Sequence, residues 1–296
     1  MISAESIQAF FTAASRGEND AKNAVRESVL EMILTPAAAD FCMEAEQWFT
    51  IRSGWRDALG LVEDQEVSIK KMAGRKHNYD FAVSSDGRTQ KVEFKCGAGV
   101  SSLADLPQIL SLSGNFDLLL SGTDVPLYAE HFYKVWLPIY LEADADSTAG
   151  SDEELRSSLP ELDKYMKLVH QSNYDRHPFF RRLYDREEVN KAEKAAIVDQ
   201  SISSYLLLAA GELDLDKLTT KLVESQSGKR FVMWDSRAHK FNHAEISEDD
   251  LRLVEMVEIT KNSIVVAAAS GQRYKMLLRW KNHKGILLPA WQISFL

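Results

Sequence analysis

Asn78-Tyr79-Asp80-Phe81-Ala82-Val83, Ser84-Ser85-Asp86-Gly87-Arg88-Thr89 and Gln90-Lys91-Val92-Glu93-Phe94-Lys95 run consecutively, and their reading decides the fold. Two β-prone runs flank an Asp-Gly pair, the strongest short-range signal for a hairpin. With Asp86 and Gly87 as the loop of a type I′ turn, Ser85 pairs with Arg88, Phe81 with Val92 and Asp80 with Glu93. Directly opposite residues in such a ladder lie a few ångströms apart. Lys95 projects from the same face as Glu93 because side chains alternate along a strand. Tyr79, Phe81, Val83, Val92 and Phe94 fall on the other face and form an apolar packing surface.

Two facing carboxylates repel one another unless positive charge sits between them. A hard divalent cation does this with oxygen ligands, and Mg²⁺ takes one or two carboxylates while keeping waters for a phosphate substrate. A lysine beside it can orient or deprotonate a water, or steady charge developing on phosphorus. Asp80 followed by Glu93-Phe94-Lys95 resembles the signature of the PD-(D/E)xK nuclease superfamily, with Tyr79 where proline is usual and a small-residue exit, Cys96-Gly97-Ala98-Gly99. The resemblance covers about residues 40 to 140. It implies an α/β chain with a restriction-endonuclease-like mixed-sheet core flanked by helices. It also implies Mg²⁺, with Mn²⁺ as a substitute, and hydrolysis of phosphodiester bonds in DNA, in the manner of a restriction endonuclease. Asp80 and Glu93 would be metal ligands and Lys95 catalytic. Many relatives add a glutamate from the helix before the first strand, which Glu46 matches by position, with the neighbouring Glu44, or Glu18 at the start of the earlier helix, as alternatives. A polar residue on the helix after the Glu-x-Lys strand places the substrate backbone in such relatives, and here that is Gln108. The rival from another class is a non-catalytic nucleic-acid- or protein-binding module on the same fold. The blander one is a salt-bridged surface hairpin.

The 296 residues suffice for one large domain or two ordinary ones. Apolar content of 45% and charged content of 27% are those of a soluble globular chain. Neither a long apolar run nor a basic-then-apolar N-terminus occurs, so neither a membrane span nor a signal peptide is expected. Cys42 and Cys96 cannot build a disulfide framework, which points to a reducing cytoplasm. A net charge of −9 argues against a non-specific nucleic-acid coat. It is compatible with a local basic cleft, and Lys70, Lys71, Arg75, Lys76 and His77 cluster just before Asp80. Lys71, Arg75, Lys76 and His77 are therefore candidate DNA contacts. A homodimer is compatible with the resemblance.

Helical periodicity predicts helices over 2–15, from Asn19 or Asp20 to Pro36, and over 38–59. The second carries a stripe of Ala21, Val25, Val29, Met32 and Ile33. The third carries Phe41, Ala45, Trp48, Phe49 and Trp55. Glu66–Lys71 and Phe116–Leu120 read as strands, and the aromatic run Tyr128–Tyr140 as core. The small, acidic stretch 141–153 reads as a linker, dividing a nuclease core, 1–145, from a helical and β-rich recognition region, 146–296. In the latter, Arg176, His177, Arg181, Arg182 and Arg186 interleave with Tyr174, Phe179, Phe180 and Tyr184. That mixture suits phosphates and unpaired bases, and equally an amphipathic helix with a buried aromatic side. Arg181 and Arg182 are the candidate contacts. Strands follow from Lys229, ending in a hairpin about Lys281–Gly285. His239 and His243 have the spacing of helix-borne zinc ligands without the glutamate or cysteines that would support one.

Overall fold

The computed structural model describes residues 2–12, 19–35, 45–62, 65–72, 78–113, 125–144, 152–171, 177–281 and 287–296. The readings placed on Glu18, Phe41, Cys42, Glu44, Arg75, Lys76, His77, 116–120, Tyr174 and Arg176 lie outside the described residues. The chain forms two compact units. One takes in Met1–Pro107 and Val223–Leu251, the other Gln108–Leu222 and Arg252–Ser294. This division differs from the cut expected near residue 145, because the chain returns to the first unit after building most of the second.

The first pass through unit one lays down α1 (Ala4–Phe11), α2 (Asn19–Met32), α3 (Ala45–Leu59), β1 (Ser68–Lys71), β2 (Phe81–Ser85) and β3 (Arg88–Gly97). The Ser3 hydroxyl caps α1 by accepting the Ser6 N–H at 3.2 Å. Gly60, at φ +70°, supplies the left-handed residue that stops α3. The chain continues through β4 (Leu110–Ser113), α4 (Tyr128–His131), a π-helical turn (Phe132–Trp136), α5 (Leu137–Ala143), α6 (Asp152–Ser157), α7 (Leu162–Leu168), α8 (Pro178–Asp185), α9 (Lys191–Ala209) and α10 (Leu215–Gln226). It re-enters unit one at Val223, in the last turn of α10, and continues there as β5 (Lys229–Asp235), β6 (Lys240–Glu245) and α11 (Glu248–Leu251). Finally β7 (Leu253–Ile259), β8 (Ser263–Ala268), β9 (Arg273–Trp280) and β10 (Pro289–Phe295) complete unit two. Among the described residues the strands form two five-stranded sheets, ordered β1-β2-β3-β5-β6 and β4-β10-β9-β8-β7. The chain is thus mixed α/β. No described helix is long and apolar enough to cross a membrane.

In unit one β1, β2 and β3 pair antiparallel, β5 joins β3 in parallel, and β6 returns antiparallel to β5. A parallel neighbour needs a long crossover, and here everything from Ala98 to Gly228 provides it. The three N-terminal helices cover one face of this sheet. Trp55 stacks edge-on against Phe81 and Phe94, Phe10 against Trp234, and the Trp234 indole N–H donates to the Phe10 carbonyl at 2.8 Å. Phe81, Val83, Val92 and Phe94 are all buried, as the alternation requires. Two stripes differ from expectation. On α2 the buried side is Arg26, Val29, Leu30 and Ile33, while Val25 is exposed. Arg26 is drawn inward because its guanidinium Nε–H has an acceptor there, the Ala9 carbonyl at 2.8 Å. On α3 Trp48 and Trp55 are buried, but Phe49 is 56% exposed.

Unit two buries most of the aromatics named above, although Tyr184 of α8 is exposed. Tyr128, Phe132, Phe179 and Phe180 are inaccessible, so the aromatic side of α8 is core and not a stacking platform. A fully buried Asp144 is held by Lys194 at 2.6 Å and Arg186 at 3.0 Å, which ties α5 to α9. His239 lies in a turn at φ +53° and His243 on β6, so the two do not share a helix face.

Candidate active site

The hairpin has the expected register, Phe81 opposite Val92 and Ser85 opposite Arg88. Asp86 and Gly87 adopt φ +48° and +72°, the left-handed pair of a type I′ turn. One step past Phe81 the regular ladder gives out. The Asp80 N–H donates to the Val92 carbonyl at 2.9 Å, and the Asp80 Oδ2 accepts the Phe94 N–H at 2.8 Å. The side chain of Asp80 thereby takes the place of a backbone carbonyl and is pinned beside Glu93. Tyr79 leaves the core face with this break and is half-buried, its ring centre 6.0 Å from the Lys91 ammonium.

Lys95 Nζ contacts Glu93 Oε1 at 2.6 Å. A second ammonium, Lys229 at the start of β5, lies 3.6 Å from Glu93 Oε2 and is only 4% exposed. The parallel register places Phe231 and Met233 beside Glu93 and Lys95 on the same side of the sheet, and both are inaccessible to solvent. Glu93 is thereby flanked on one side by apolar side chains, while Lys95 keeps about 34% of its side chain open to solvent.

Burial governs the electrostatics. Desolvation first, then the neighbouring Glu93 and Glu27 carboxylates, push Asp80 up to about 6, against the opposing pull of Lys95 and the Phe94 N–H. For Lys95, burial acts downward, but Glu93, Asp80 and Glu27 outweigh it and hold the ammonium above its ordinary value. For Lys229, burial wins and, with repulsion from Lys95, lowers its affinity for a proton despite Glu93.

Glu27 is the helix carboxylate that this site feels, and sequence reasoning missed it. It sits on α2 and pairs with Lys71 of β1 at 2.8 Å, while Glu31, one turn on, accepts the Lys71 backbone N–H at 2.9 Å. Glu46 instead stands exposed in the first turn of α3. The available signal was an acid pair four residues apart on α2, facing a lysine-ended strand. Lys229 was missed too, since a partner that arrives through a crossover leaves no local mark.

The other expected residues are placed differently. Lys71 is committed to Glu27 and Glu31. Gln108 is not on a helix: only a 3₁₀ turn, Leu103–Asp105, follows β3, and Gln108 lies beyond it in unit two, just ahead of β4. Arg181 and Arg182 are on α8 in unit two, Arg181 exposed and 3.9 Å from Asp185.

Among the described residues no group of three or more His, Cys, Asp or Glu side chains is placed to hold a metal. The donor set at the hairpin is a pair, Asp80 and Glu93, both hard oxygen ligands. The Oδ1 of Asp80 has no hydrogen-bond partner among the described residues. A carboxylate raised by burial and like-charged neighbours is one that a cation relieves, so the pair fits Mg²⁺ in chemistry. No family model matches the chain, nor does any curated protein or solved structure.

Proposed function

We propose that the chain is a metal-dependent nuclease hydrolysing phosphodiester bonds in DNA, on a restriction-endonuclease-like sheet. The observation that carries this is the fixing of Asp80 beside Glu93, with Lys95 on the same face and apolar side chains flanking Glu93. A mixed sheet with helices on one face agrees with the fold the resemblance implies. The restriction-like assignment rests on the length of the second unit, which is available to read sequence.

Asp80 and Glu93 would hold a Mg²⁺ or Mn²⁺ ion, which when bound would supply an activated water and a Lewis acid for the phosphoryl oxygens. Glu27 adds negative charge nearby. Lys95 is kept protonated by three carboxylates, so it serves as a charge and not as a base. Once released from Glu93, its ammonium offsets charge developing on phosphorus. Lys229 steadies the second Glu93 oxygen.

Incubating plasmid, single-stranded DNA and RNA with the protein, with Mg²⁺ or with chelator, tests the proposal. Metal-dependent scission of DNA is the expected result. Intact substrates throughout would remove it. One observation favours a second reading, a binding module without catalysis: Glu93 is already met by two ammonium groups. Nucleic-acid or protein binding without cleavage in the same experiments would select it.

A further inference from the structure

A groove of about 940 Å³ runs along α3 within unit one, between that helix, β1 and the turn of the hairpin. Arg52 and Arg56 line it one helical turn apart, with Ser53 between them and Phe49 beside them. The Arg52 guanidinium donates to the Ile33 carbonyl and that of Arg56 to the Val62 carbonyl. Neither meets a carboxylate among the described residues. Each is thus oriented by backbone, with no ion pair among the described residues, and burial together with Arg56 lowers the affinity of Arg52 for its proton. Two guanidinia one helical turn apart offer an anion a paired contact, in a groove whose lining also carries Glu66 and Asp86.

Phe49 adds a second kind of contact. It departs from the buried stripe of its helix and is 56% exposed, yet it is not loose. The buried Trp48 holds it edge-on, with ring centres 5.0 Å apart and planes at 85°. Arg52 lies 5.2 Å from the other partner's ring, Trp48, so the ring pair and the guanidinium brace one another. A fixed aromatic face beside cations is what unpaired bases and their phosphates use.

We propose that this groove binds a single strand of nucleic acid, with phosphates on Arg52 and Arg56 and a base on Phe49. Glu66 and Asp86 also line it, Asp86 being tied to Gln65 at 2.6 Å. They disfavour the denser charge of a duplex. The volume is at the top of the range of roughly 300–1,000 Å³ that one small ligand fills, leaving room for more than one nucleotide. The proposal goes beyond the nuclease reading, since Asp80, Glu93 and Lys95 do not line the groove and a protein that binds without cutting would still show it.

Fluorescence anisotropy in chelator, with the full chain and a short labelled oligothymidylate, tests it. A duplex of equal length and polyglutamate serve as competitors. The wild type should prefer the single strand and ignore polyglutamate. Phe49→Ala should weaken binding about tenfold. The double variant Arg52→Gln/Arg56→Gln should flatten the salt dependence by roughly 1.4 in slope. Should that double variant misfold by circular dichroism, Phe49→Ala decides alone, because its side chain is exposed. Absence of binding, equal affinity in Phe49→Ala, or equal capture of polyglutamate would each overturn the assignment. Cleavage lost with binding retained would strike only the nuclease reading.

Discussion

Asp80 holds the two residues that flank Glu93: its N–H donates to the Val92 carbonyl at 2.9 Å and its Oδ2 accepts the Phe94 N–H at 2.8 Å. One carboxylate is thus fixed by backbone against another, beside apolar side chains, where charge is costly unless compensated. The proposed chemistry follows from this pairing.

Asp80→Asn keeps the shape, and its amide can still present an oxygen to the Phe94 N–H. DNA cleavage should fall on the order of 10²- to 10³-fold, with the circular dichroism spectrum unchanged. Binding to DNA should hold or tighten, because a charge that repels phosphate is gone. Undiminished turnover would remove the metal-site assignment.

Lys95→Ala should lower turnover about a hundredfold or more, while metal affinity, read by calorimetry, holds or rises. Lys91 is the control: it is exposed, on the same strand face, and opposite Ala82 instead of an acid. Lys91→Ala should change turnover by only about twofold, the scale of a modest surface term. Equal effects at both positions would mean that the lysines merely decorate a charged hairpin.

Proton linkage gives a third test, free of any substrate. Asp80 is raised to about 6 in the fold from an ordinary 3.8. Between those values the folded state binds more protons than the unfolded one, so this site's contribution to stability declines as pH rises through the window. It is constant above the folded value. Measured without metal, the wild type should lose of order 2–3 kcal/mol relative to Asp80→Asn between pH 4 and pH 6. Asp80 and Glu93 titrate together, so the midpoint belongs to the pair. Parallel stability curves for the two proteins would contradict the raised value.

Lys229→Met replaces a buried ammonium by an apolar chain of similar length. Glu93 keeps Lys95, so the loss of stability in urea titration should be about 1–3 kcal/mol, below the full cost of orphaning a buried charge. Combining it with Glu93→Gln should recover part of that loss. Simple additivity of the two would show that the 3.6 Å contact carries no coupling.

The hairpin was legible from sequence because its signals are local. Asp86-Gly87 fixes the turn, the turn fixes the register, and alternation then assigns each side chain a face. Phe81, Val83, Val92 and Phe94 followed directly. What depends on distant packing was not legible. The parallel partner of β3 comes from β5 across a long crossover, so Phe231, Met233 and Lys229 could not be assigned to the Glu93 side. The buried stripe of α2 is turned from its apolar reading because Arg26 finds the Ala9 carbonyl, and it is Glu27, not Glu46, whose charge Asp80 feels. Phe49 broke its stripe for no reason visible in the spacing of α3.

The order in which the chain leaves the ribosome matters for the sheet. Lys95 pairs in register with Met233, so the central strand pair cannot form until synthesis has passed the whole interposed segment. Contacts this remote in sequence are slow to close and belong late in folding. Nascent or truncated chains ending before β5 carry Asp80, Glu93 and Lys95 but lack Phe231, Met233 and Lys229, which enclose and balance them. In such a fragment Glu93 keeps Lys95 but lacks Lys229 and the cover of Phe231 and Met233. The enclosure of this centre is thereby withheld until β5 has been made.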